Sequence, residues 1–154
     1  MPSIRALLVC CALPFCISAQ QFGKQVVSVA PPQTLTAKRG ANVSQTLAVT
    51  VASGFHVNSN KPRDEFLIPL KLTWNTSALQ TKAIAYPTAE QVKVGNEMLD
   101  VFTGKFAVKT EFFVSPQAAP GITMLEGKLR YQACDNVSCK RPATLNVQLP
   151  VSVQ

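Results

Sequence analysis

Two cysteines, Cys134 and Cys139, stand in the segment YQACDNVSCKRP (131–142) with four residues between them. Paired thiols can be joined as a staple, exchanged with another protein as a redox couple, or turned on a soft metal ion. The charges beside them differ. Asp135 follows Cys134 and disfavours its thiolate, while Lys140 and Arg141 follow Cys139 and favour one there. The residues between, Asp135-Asn136-Val137-Ser138, are turn chemistry. The pair is therefore expected at the mouth of a hairpin, where two Cα atoms can come within the roughly 4.4–6.8 Å that a disulfide takes.

A staple at this place would do little. Chain entropy gives about 2 kcal/mol for a six-residue ring, against about 4.7 kcal/mol for a ring of roughly 100 residues. A bond on a loop is, by contrast, well placed to meet another protein. Spacing alone leaves the structural and the redox uses both open. The metal alternative is weaker. A closed zinc site takes four ligands, and the only histidine is His56, in GFHVNSN. His56 is read as a hydrogen-bonded structural residue, with a copper(I) site of Cys134, Cys139 and His56 as the alternative. With one histidine, no GxSxG and no P-loop, the common hydrolytic and nucleotide sites are not built.

The first residues set the compartment in which these thiols would work. Arg5 is followed by the apolar run Ala6–Ile17, and Ile17-Ser18-Ala19 offers a cleavage site. That is the pattern of a secretory leader over residues 1–19, followed by a mature domain over 20–154. The run falls short of the roughly 20 apolar residues of a membrane span. A periplasmic or secreted protein without stable membrane insertion is expected. Lipidation is the rival reading, but Phe15 before Cys16 is bulky, and Cys10 and Cys11 lie inside the apolar run. Cleavage removes three of the five cysteines and leaves Cys134 and Cys139. An even pair in an oxidising compartment points to a disulfide. The formal charge falls from +7 to +6 with the loss of Arg5. Its lysines and arginines are scattered, with no basic helix or basic-aromatic stripe, so no nucleic-acid partner is expected.

The elements that must hold the pair read with period two. Leu47, Val49 and Val51 share a face, as do Ile68, Leu70, Leu72 and Trp74 in LIPLKLTW (67–74). Leu125, Leu129, Tyr131 and Ala133 alternate with Glu126, Lys128, Arg130 and Gln132, and Leu145 to Val153 alternate in the same way. Residues 105–114 form a further strand, and 25–30 and 83–86 shorter ones. Eleven prolines and no helical stripe argue against helices. Seven or eight short strands predict an all-β, immunoglobulin-like antiparallel sandwich.

GFHVNSNKPRDEFLIPLKLTW, followed downstream by YQACDNVSCKRP, resembles the N-terminal periplasmic domain of the DsbD thiol:disulfide interchange reductases. The likeness covers nearly all of the mature chain. It implies an immunoglobulin-like sandwich with Cys134 and Cys139 as a redox pair, and Cys139 as the site of mixed disulfides. It implies that Asp64, Glu65 and Phe66 form a cap loop whose Phe covers the cysteines, and that Tyr131 is the aromatic residue just before them. The implied activity is of protein-disulfide reductase type, without a cofactor or metal. The implied partners are thioredoxin-like proteins and a membrane electron transporter. The chain departs from the best-known members, which have five residues between the cysteines, and in Leu67-Ile68-Pro69 after the Phe. It also ends after this domain, so its electrons are expected from separate proteins. A sandwich-type binding or adhesion module with a structural hairpin disulfide, and a copper(I) carrier, are the alternatives.

Overall fold

The computed structural model describes residues 25–75 and 77–154. The expected leader and its cleavage site lie outside the described residues. Among these there is no helix long and apolar enough to cross a membrane.

Twelve strands run in chain order among the described residues: β1 (Val27–Val29), β2 (Leu35–Ala37), β3 (Asn42–Val51), β4 (His56–Asn58), β5 (Lys71–Trp74), β6 (Leu79–Ala85), β7 (Glu90–Val94), β8 (Glu97–Phe102), β9 (Lys105–Val114), β10 (Gly121–Tyr131), β11 (Ala133–Cys134) and β12 (Ala143–Val153). Two four-stranded sheets, β1-β3-β9-β6 and β2-β12-β10-β5, face each other as the sandwich. The long pairs are β3 with β9, from Asn42↔Phe113 to Thr50↔Lys105, and β10 with β12, from Gly121↔Val153 to Tyr131↔Ala143. Every pair is antiparallel except β2 with β12, where Leu35 to Ala37 run parallel to Val151 to Val153.

Alternation explains the long strands. Along β10, Leu125, Gly127, Leu129 and Tyr131 are buried, and Glu126, Lys128 and Arg130 are exposed. Burial of one face, at roughly 25 cal/mol per Å² of apolar surface, holds the register, since a slip of one residue would turn that face to water. The core has two lobes. One gathers Leu47, Val49, Leu72, Val108 and Leu129, the other Leu79, Phe112, Leu125, Leu149 and Val151. Trp74 packs against both. Its indole Nε1–H donates to Thr110 Oγ1 at 3.0 Å, and its ring meets Phe112 edge-on at 5.5 Å.

The expectation of seven or eight strands is too low: four short strands, β2, β4, β7 and β8, lie outside the expected ones, and β2 and β4 have only three residues each. Three of them, with β11, build a third sheet ordered β11-β4-β8-β7. The strand expected over 67–74 is shorter as well: only Lys71–Trp74 pairs. Residues 67–70 belong to the returning arm of a loop, where Leu70 N–H donates to Ser59 O at 3.2 Å. The strand expected to run on through Ala133 breaks at Gln132. Tyr131 ends β10 in the sandwich, and Ala133 begins β11 in the third sheet. That change of sheet carries the cysteine pair away from the sandwich and onto β4.

Candidate functional site

Cys134 closes β11, and the chain returns through a four-residue loop to Cys139, which forms an isolated antiparallel bridge with it. The two are joined as a disulfide, with Cα atoms 4.0 Å apart. The hairpin also has its own backbone hydrogen bonds. Asp135 N–H donates to Ser138 O at 2.9 Å, and Lys140 N–H donates to Ala133 O at 2.8 Å. The Asp135 carboxylate accepts from the backbone N–H groups of Val137 and Ser138, both at 2.8 Å. These bonds, that from Ser138 first, hold the Asp135 carboxyl below its ordinary ionisation range. Asp135 is therefore a turn-former whose charge is fixed at the mouth of the pair.

The two cysteines differ in exposure. Cys134 is 3% exposed, whereas Cys139 lies on the surface. Val137, at the hairpin tip, is 94% exposed. Lys140 reaches back so that its Nζ lies 5.1 Å from the centre of the Phe55 ring, and Arg141 is exposed. Tyr131 is buried in the core lobe that also holds Ala133 and Val57, and burial pushes its hydroxyl pKa up.

Register puts His56 opposite Cys134. The neighbouring pair is Val57 opposite Ala133. Those two face the core, so His56 and Cys134 share the other side of the same two strands. His56 is 5% exposed, and its Nε2 is buried without a hydrogen-bond partner among the described residues. The reading of His56 as a hydrogen-bonded structural residue is thus corrected at that nitrogen. Burial lowers its pKa, and the Asp135 charge acts in the opposite direction. Sequence reasoning set His56 beside the pair only in the copper(I) alternative and missed its place opposite Cys134 in the strand register. The one signal in the chain was an ionisable residue between the apolar Phe55 and Val57.

The segment expected as a cap is a loop clamped at its base. Ser59 N–H donates to Asp100 O at 2.9 Å, and Asn58 Nδ2–H donates to Ile68 O at 3.0 Å. Arg63 Nε lies 3.0 Å from Asp100 Oδ2 in an ion pair. At the tip, Phe66 N–H donates to Asp64 Oδ1 at 2.8 Å and Leu67 N–H to Asp64 O at 3.2 Å, closing a small turn. Phe66 is 85% exposed. A ring that open is not packed into the sandwich edge. Instead, Arg63, Asp64, Glu65 and Phe66 line one wall of a groove whose other wall is Glu97, Met98 and Leu99.

Among the described residues, no group of three His, Cys, Asp or Glu side chains is placed to hold a metal ion. What the fold and site define is an immunoglobulin-like sandwich with a cysteine pair presented on a hairpin of a third, smaller sheet. Comparison with known proteins agrees. The family described as "Thiol:disulfide interchange protein DsbD, N-terminal" matches residues 24–150, and this chain belongs to it. Among solved structures, the N-terminal periplasmic domain of ScsB from Proteus mirabilis is similar at 19% identity and a TM-score of 0.56, over 75% of this chain and 43% of that one. The reduced DsbD N-terminal domain of Neisseria meningitidis is similar at 14% identity and a TM-score of 0.51, over 80% of this chain and 86% of that one. At those identities the two likenesses carry the fold. This chain spans less than half of the ScsB chain that it matches. No curated protein sequence matches it.

Proposed function

We propose that this protein is an exported thiol:disulfide exchange module that passes two electrons to disulfides of partner proteins through Cys134 and Cys139. The observation that carries this reading is the unequal placement of the pair. One cysteine is buried at a strand end and the other is at the surface, in a hairpin that has hydrogen bonds of its own. Such a pair can open without dismantling the fold around it. The surface thiol can also be reached by another protein's disulfide.

In the reaction, the Cys139 thiolate attacks one sulfur of a partner disulfide. The partner's second sulfur leaves as a thiolate, and a mixed disulfide remains. Cys134 then attacks the Cys139 sulfur and releases the partner's first sulfur as a second thiolate. The partner is reduced by two electrons and this pair is oxidised. Membership of the family supports thioredoxin-like proteins as partners and a membrane electron transporter as the source of reductant, in the periplasm, with no cofactor required. The Asp64–Phe66 tip would close over reduced Cys139 and open for a partner. Phe66 in water has apolar surface to bury, and either the hairpin or a docked protein can provide the cover.

Trapping tests the roles. Cys134→Ser should accumulate mixed disulfides through Cys139, and Cys139→Ser should trap none. The reduction potential should lie above the roughly −300 mV below which structural disulfides fall. If both variants stay folded and trap equally poorly, the exchange reading fails.

A further inference from the structure

His56 has no role in the reaction as written, yet it is the residue nearest in register to the buried cysteine. The resolving step also has a need that nothing described so far meets. Once Cys139 is tied up in a mixed disulfide, Cys134 must lose its proton before it can attack. A buried thiol is a poor acid, because low polarity disfavours its thiolate. Cys134 is 3% exposed, which leaves little water to take that proton. Side chains of directly opposed residues on antiparallel strands stand with Cβ atoms about 4.5–5.5 Å apart. His56 and Cys134 are such a pair on the same side of β4 and β11. The imidazole Nε2 is buried and has no hydrogen-bond partner among the described residues, so in the Nδ1–H tautomer its lone pair can receive one.

We propose that His56 is the proton acceptor for the Cys134 thiol in the resolving step. The proposal rests on the exchange reading above and assigns a residue within it. The Cys134 S–H proton passes to His56 Nε2. The thiolate so formed attacks the Cys139 sulfur, the mixed disulfide breaks, and the partner's sulfur leaves with the electron pair. His56 then returns its proton to water or to the departing thiolate. The surroundings suit an acceptor. Burial keeps the imidazole neutral at neutral pH. Among the described residues, Asp135 is the charged group whose field reaches it, and that field favours the imidazolium once the proton arrives. Lys140 acts in turn on Asp135. In the reverse direction, the same imidazolium would protonate Cys134 as the disulfide is opened.

The two thiol steps can be separated with 5,5′-dithiobis(2-nitrobenzoate) on the fully reduced protein. Attack by Cys139 releases one thionitrobenzoate, and resolution by Cys134 releases the second. In stopped-flow, His56→Gln should slow the second release by about 100-fold, within the usual range for general-base catalysis, and leave the first release nearly unchanged. The pH profile of the second release should lose the imidazole ionisation and follow only that of the thiol. Equal slowing of both phases would show a structural role and overturn the proposal, as would an unchanged second phase. An independent measurement needs no variant. His56 is the only histidine, so imidazole nitrogen spectra of the wild type are assigned without ambiguity. The Nε2 resonance should move on reduction, as Cys134 S–H begins to donate to it, and an unmoved resonance overturns the proposal. Failure of the exchange reading is distinct: Cys134→Ser and Cys139→Ser would then trap partner proteins equally poorly, whatever His56→Gln does to the second release.

Discussion

Gly127 lies directly opposite Trp74 across β10 and β5, and the indole occupies the space that a side chain at 127 would need. A Cβ built there would stand 2.6 Å from Trp74 Cε3. The residue with no side chain and the largest side chain of the core are thus one packing unit. Through Trp74 that unit joins both lobes of the sandwich.

Gly127→Ala should therefore destabilise the fold by about 1–3 kcal/mol, the usual cost of overpacking a filled core. Urea unfolding would measure it. The reduction potential of the cysteine pair should not move, because the pair belongs to the third sheet.

Reduction of the disulfide should lower the stability by no more than about 2 kcal/mol, the chain-entropy limit for so short a ring. The hairpin bonds between Asp135 and Ser138 and between Lys140 and Ala133 already restrict the loop. Thermal unfolding with and without reductant gives the difference. A larger loss would mean that the pair is a staple.

Phe66→Ala should change stability by less than about 0.5 kcal/mol, as expected for a side chain that packs against nothing. If the tip closes over the reduced pair, the same change should raise the rate at which iodoacetamide modifies Cys139. An unchanged rate would leave Phe66 no shielding role, and a large loss of stability would make it a core residue.

Acidification should weaken the fold in two stages. His56 has a folded-state pKa below its ordinary 6.5, so the unfolded chain takes up its proton first. Its contribution is fully present above that value and is lost as pH falls through the folded pKa. Asp135 is likewise depressed from 3.8, and its contribution is lost only as pH falls below that value. Unfolding free energy measured against pH should decline first below 6.5 and again below 3.8. His56→Gln should remove the upper step alone. Loss of protection at the Val137 and Ser138 amides in hydrogen exchange would report the lower one.

Much of this molecule follows from local chemistry, and local chemistry is legible in a sequence. Strands β3, β9, β10 and β12 run ten or eleven residues and alternate buried with less buried positions over at least their later half, so their alternation stands out along the chain. The turn between Cys134 and Cys139 is built from its own residues, and the strand-turn-return reading of that segment matches the hairpin. The all-β sandwich and the pairing of the cysteines were both within reach on those grounds. The third sheet was not. Strand β4 has three residues, all buried, and no period can show in so short a run. Its partners on β8 and β11 lie far along the chain, and only the folded sandwich brings them together. The position of His56 opposite Cys134 comes from that long-range register. So does the clamp of the Phe66 loop on Asp100, which joins a loop to a strand distant in sequence. Even the placement of Phe66 was a matter for the tertiary structure, since an aromatic ring between charged residues can lie in water or under cover, and the packing around it decides which.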